Sequence, residues 1–129
     1  MNILFVDDDS FLLDMYSLKF TKNGFTVRTA QGSEDALKII HEGFQPDVLL
    51  VDVVMPGMDG VDLISTIRKE DLTPNAVIIM LTNQGLSDDI IRAKKLNVDG
   101  YIIKATTIPS EVLSEVNRIY KNSKASQKK

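Results

Sequence analysis

Apolar residues along the chain follow two rhythms that alternate from end to end. Residues 2–6 (Ile3, Leu4, Phe5 and Val6 after Asn2), 48–51 and 76–81 are runs with almost no polar interruption, the pattern of strands covered on both faces. Shorter strands are predicted at 25–29 and at 101–103, the second bracketed by Asn97 and Gly100. Between these runs the apolar positions recur at helical spacing. Leu12, Leu13, Tyr16 and Phe20 form a first helix, capped by Asp9 or Ser10 and ended at Asn23-Gly24. Ala36, Leu37 and Ile40 face inward on a second, opened by Gly32-Ser33 and closed by Gly43 and Pro46. Leu63, Ile64 and Ile67 mark a third, after Gly60 and stopped before Pro74. Ser87 caps a fourth carrying Ile90, Ala93 and Leu96. Thr107 and Pro109 start the last, with Val112, Leu113, Val116, Ile119 and Tyr120 on its apolar side.

Strands that alternate with helices imply an α/β fold, because each return to a parallel strand needs a crossover, and right-handed crossovers lay helices on both faces of the sheet. In such sheets the working site lies at the carboxyl ends of the strands. Polar residues collect there. Strand one ends at Asp7 and Asp8, strand three at Asp52, strand four at Thr82 and strand five at Lys104. Carboxylates crowded in one crevice repel one another and lose hydration, so protons or a cation must be taken up. Magnesium suits that role, since it prefers oxygen ligands and needs only one or two protein carboxylates. Lys104 alone leaves an excess of negative charge. A cation, an ammonium and a hydroxyl converging on Asp52 fit stabilisation of a phosphoryl dianion, with Asp52 as nucleophile and an aspartyl phosphate as product.

Composition narrows the classes. The 129 residues, 43% hydrophobic and 26% charged, suit one domain, expected at 1–121, followed by a polar, basic tail or linker at 122–129. There is no cysteine, so disulfides and thiolate metal sites are excluded. The single histidine, His41, falls on a predicted surface helix away from the acidic edge. A net charge of -3 argues against nucleic acid as a direct partner of this domain. No apolar stretch is long enough to span a bilayer, and the amino terminus reads as a strand, so a cytoplasmic location is expected and no membrane partner.

The motifs Val6-Asp7-Asp8, residues 52–60 (Asp52-Val-Val-Met-Pro-Gly-Met-Asp59-Gly60), Leu81-Thr82 and Tyr101-Ile-Ile-Lys104 together resemble the receiver domain of two-component response regulators, of the stand-alone chemotaxis-regulator type, over nearly the whole chain. That resemblance implies a flavodoxin-like, doubly wound (βα)5 three-layer sandwich with a five-stranded parallel sheet in the order 2-1-3-4-5. It implies that Asp52 accepts a phosphoryl group from a phosphohistidine on a histidine kinase or phosphotransfer protein. Asp8, Asp52 and the Val54 backbone carbonyl would bind Mg2+, with Asp7 acting through a water. Lys104 would pair with the phosphoryl oxygens, Thr82 would bond one of them, and Tyr101 would change rotamer as Thr82 moves. The message would leave through the surface of the helix after strand four, strand five and the last helix, toward an unknown downstream protein or effector domain. The chain is then no enzyme beyond weak self-phosphorylation and self-dephosphorylation. It is expected to be either a stand-alone receiver or a piece of a longer regulator.

Three positions depart from the family pattern. Ala105 replaces the usual proline after the lysine; a cis bond to a non-proline costs about 3 kcal/mol, so a trans bond and an altered loop are expected. Asn83 is larger than the usual small residue after the threonine. Val54 and Gln84 flank the approach of an attacking water, and apolar Val54 is expected to slow hydrolysis. Three rival readings stay open: a flavodoxin-like electron carrier, disfavoured because Asp7 to Asp9 would repel a flavin phosphate; an aspartyl-phosphate-forming phosphohydrolase, which would want an acid where Val54 stands; and a degenerate receiver that only binds partners. Dinucleotide binding lacks its glycine fingerprint.

Overall fold

The computed structural model describes residues 1–82, 91–92, 94–104 and 108–127. Strands β1 (Asn2–Val6), β2 (Thr26–Ala30), β3 (Val48–Asp52), β4 (Val77–Thr82) and β5 (Gly100–Ile103) form one sheet in the order β2-β1-β3-β4-β5, parallel throughout. Helices α1 (Ser10–Lys22), α2 (Ser33–His41), α3 (Gly60–Lys69) and α4 (Pro109–Gln127) accompany it. Helical turns at Ile91, Arg92 and Lys94 belong to the helix predicted after strand four, whose Ser87, Ile90 and Ala93 lie outside the described residues, as do Thr107 and the residues at Asn83, Gln84 and Ala105.

Because strand side chains alternate, each strand feeds two cores. Leu4, Val6, Leu49, Val51, Ile78 and Met80 pack against Ala36, Ile39 and Ile40 of α2 and Leu63, Ile64 and Ile67 of α3. Ile3, Phe5, Leu50, Ile79 and Leu81 pack on the other face against Leu13, Tyr16 and Phe20 of α1 and Val112, Val116 and Ile119 of α4. Phe5 stacks on Tyr16 at 5.2 Å and meets Phe20 edge-on at 4.9 Å, which fixes α1 on its strand. Uninterrupted apolar runs in β1, β3 and β4 follow from this double coverage.

Several boundaries differ from the sequence reading. Strands β2 and β4 sit one residue later than predicted, and the inward residue of α2 beside Ile40 is Ile39, with Leu37 only half-buried at the flank. The last helix runs on to Gln127 instead of fraying at 122. Its extension is docked: Ser123 Oγ donates to Asp99 Oδ1 at 2.7 Å, Lys124 Nζ donates to the Asn75 carbonyl at 2.9 Å, and the same ammonium lies 5.6 Å from the Tyr120 ring. Polarity of the tail concealed these bonds, since they join residues far apart in the chain.

Asp9 caps α1, its Oδ1 accepting from the backbone N–H groups of Phe11 at 3.0 Å and Leu12 at 3.3 Å. Asp9→Ala is expected to lower stability by about 1 kcal/mol, read as a shift in urea midpoint at constant slope.

Candidate functional site

Each acid arrives at the edge for a local reason. The β1 and β3 runs stay buried through Asp7 and Asp52, which are 1% and 3% exposed, and the chain reaches solvent only at Asp8 and Val54. Asp8, one step further, is exposed. Carboxyl oxygens of Asp7, Asp8 and Asp52 all lie within 4.8 Å of one another. Lys104, at the end of β5, reaches between two of them: its Nζ is 2.7 Å from Asp7 Oδ2 and 3.1 Å from Asp52 Oδ2. The backbone N–H of Asp9 donates to Asp7 Oδ1 at 2.9 Å, and that of Val54 to Asp52 Oδ1 at 3.4 Å. Among the described residues Asp7 Oδ2 is met only by the Lys104 ammonium.

The electrostatics follow from this geometry. Burial pushes the Asp52 carboxyl up to about 6, and the neighbouring Asp7 charge adds to the rise; Lys104 and the Val54 N–H oppose it without cancelling it. Burial works against the charge on Lys104, but the hydrogen bond from its ammonium to Asp7 and the charges of Asp52 and Asp7 outweigh it and raise its pKa. Tyr16 lies under the cluster, and its hydroxyl is raised by burial and then by Asp7. Three carboxylates face one ammonium, so the site carries surplus negative charge. That donor set, oxygen only and partly open to solvent, fits a hard divalent cation such as Mg2+.

Thr82 ends β4 and is buried, one strand over from Asp52. Tyr101 is half-buried on β5, paired with Met80 and packed at the margin of the α2/α3 core. Burial raises its hydroxyl pKa. Val54 projects outward, 62% exposed. His41 is exposed at the end of α2, away from the acids. Thus Asp7, Asp8, Asp52, Thr82 and Lys104 all come to one edge.

Two supports were not read from the sequence. Ser33 is buried, and its Oγ donates to the Met58 carbonyl at 2.7 Å, pinning the loop after Asp52 to the start of α2. Gly60 lies against the main chain of Asp52 and donates its N–H to the Val53 carbonyl at 2.9 Å. A serine opening a helix and a glycine in a turn are common enough that neither signals a tertiary role on its own.

Residues 3–117 match the family described as the response regulator receiver domain. The chain belongs to this family. Among relatives of this receiver, the transcriptional regulatory protein AfsQ1 of Streptomyces coelicolor is 33% identical over 80% of the chain and 44% of its own length. A solved CheY-like receiver domain protein from Methanospirillum hungatei superposes with a TM-score of 0.85 at 26% identity, covering 97% of each chain. One from Clostridium thermocellum gives 0.81 at 30% identity, covering 96% of this chain and 97% of that one. The chain spans about half the length of the curated relatives it matches, 44% to 57% of each. Receiver domains are phosphoacceptor switches of two-component signalling. No helix among the described residues is long and apolar enough to cross a membrane.

Proposed function

We propose that Asp52 is the phosphoacceptor of this receiver and that Asp8, Asp52 and the Val54 carbonyl hold Mg2+ during the transfer, with Asp7 acting through a water. One observation carries the reading: two buried acids share a single lysine while the third carboxylate stands open beside them. When bound, magnesium supplies charge neutralisation for the incoming phosphoryl oxygens. A carboxylate oxygen of Asp52 attacks phosphorus as the bond from phosphorus to the donor's leaving group breaks. Lys104, already held over Asp52 at 3.1 Å, compensates the added charge, and the Thr82 hydroxyl donates to a phosphoryl oxygen. The new dianion favours one position of the Thr82 segment, so Tyr101 and the surface around β5 and α4 change with it. The donor is a histidine kinase or phosphotransfer protein, and the readout is a downstream protein or effector domain; nucleic acid is not contacted by this domain itself. The same chemistry gives slow self-phosphorylation from small donors and slow self-dephosphorylation.

The test is incubation with acetyl phosphate, with and without magnesium, followed by intact mass and peptide mapping. A metal-dependent adduct on Asp52 is expected; an adduct elsewhere, or one indifferent to the metal, overturns the assignment. Val54 bears on the lifetime of the adduct. Its apolar side chain stands beside Asp52 and offers no group to orient water, so Val54→Asn is expected to shorten the phosphoryl lifetime several-fold in a single-turnover decay. A longer lifetime contradicts that role.

A further inference from the structure

One contact near the acceptor edge has no part in the phosphoryl chemistry. Arg92, in the helical turns after β4, points its two terminal nitrogens at different acids of α3: Nη1 is 3.5 Å from Asp59 Oδ2, and Nη2 is 3.6 Å from Asp62 Oδ1. Asp59 caps α3, its Oδ1 accepting from the Asp62 N–H at 2.9 Å. It also immediately precedes Gly60, which lies against the main chain of Asp52. A single guanidinium therefore spans the segments that leave β3 and β4, the strands that end in Asp52 and Thr82.

We propose that Arg92 is a positioning residue, an ionic tie between α3 and the helix after β4 that opposes movement of Thr82 toward Asp52. The proposal rests on the roles assigned above to those two residues. Arg92 follows Thr82 by ten residues on the same segment leaving β4, so its pairs with Asp59 and Asp62 hold the far end of that segment to α3. Both contacts are already at the long end of ion-pair distance, and displacement weakens both together. All three side chains are partly exposed, at 46% for Arg92, 28% for Asp59 and 58% for Asp62, so the tie is weak and screened by salt. Weakness is what a bias requires. A strong tie would lock one state, whereas an exposed one changes the population of the transfer-competent arrangement by a small factor.

The experiment compares acetyl phosphate labelling rates of the parent, Arg92→Ala and Arg92→Lys in saturating magnesium, at low and high ionic strength. Arg92→Ala is expected to label about two- to fivefold faster than the parent at low salt, with the difference fading at high salt. Arg92→Lys keeps the charge but loses the fork, and should fall between them. A charge-swapped pair, Arg92→Asp with Asp62→Arg, should return part of the way to the parent rate. Slower labelling of Arg92→Ala means that the guanidinium attracts the anionic donor instead, and overturns the tie. Equal rates at both salt concentrations also overturn it. If Arg92→Ala fails to fold, the intermediate rate of Arg92→Lys and the swapped pair decide alone. A parent that takes no label on Asp52 overturns the acceptor assignment itself, a failure distinct from that of the tie.

Discussion

Asp52→Asn is expected to reduce labelling by acetyl phosphate to background and, in magnesium-free buffer, to raise the thermal midpoint. Loss of labelling follows because an amide is no nucleophile toward phosphorus under conditions where a carboxylate is. The gain in stability follows from the crowding at the edge. Asp7 and Asp52 are both buried and share one ammonium, so the folded protein must hold a charge that the unfolded chain hydrates freely. Asparagine keeps the shape and removes the charge. Discounted for solvent screening, the relief is about 1 kcal/mol, or roughly 3–5 °C for a domain of this size.

The same balance has a signature in pH. The Asp52 carboxyl titrates at about 6 in the folded protein, against 3.8 without the fold. A raised folded value means that the contribution of this group to stability is fully present below the lower value and is lost as pH rises through the higher one. Metal-free parent should therefore lose stability relative to Asp52→Asn between pH about 4 and about 6. Added magnesium should raise the midpoint of the parent and leave that of the variant nearly unchanged. A variant less stable than the parent in the absence of metal would show that Asp52 is held favourably and would remove the electrostatic basis of the site.

Gly60→Ala is expected to cost about 2–3 kcal/mol, read from urea unfolding with an unchanged slope. A Cβ at this position would overlap the Asp52 carbonyl oxygen, come within 2.9 Å of the Asp52 carbonyl carbon and touch Val51 Cγ1 at 3.0 Å. Two of those atoms are backbone and cannot rotate away. Relief requires the start of α3 to withdraw from β3, which breaks the Gly60 N–H bond to the Val53 carbonyl. Asp52 is displaced in the process, so the folded fraction should also label more slowly. Stability and labelling rate equal to the parent's would show that the turn can yield without cost.

Legibility of the sequence depended on the range over which each residue acts. Ile3 to Val6, Val48 to Val51 and Ala76 to Leu81 announced buried strands because burial on both faces leaves no room for polar residues, and the acids that end two of those runs were conspicuous by contrast. Asp7, Asp8, Asp52, Thr82 and Lys104 could be gathered at one edge from strand order alone, since parallel strands put every carboxyl end on the same side. Contacts between distant residues had no such signal. Lys104 bridging two acids, Ser33 holding Met58 and Arg92 reaching α3 depend on where side chains end, which periodicity does not encode. The continuation of α4 was hidden because lysines and serines of the tail look solvated until Asn75 and Asp99 are seen beside them.

That docked extension has a practical consequence. Lys124 bonds Asn75, just before β4 begins, so the last helix ends at the pole where strands start, about 20 Å of β4 away from Asp52 and Thr82. A dye, an affinity handle or a fused reporter placed there leaves the approach of a phosphodonor unobstructed, and any cargo tethered at that end can sense the reaction only through the body of the sheet and its flanking helices.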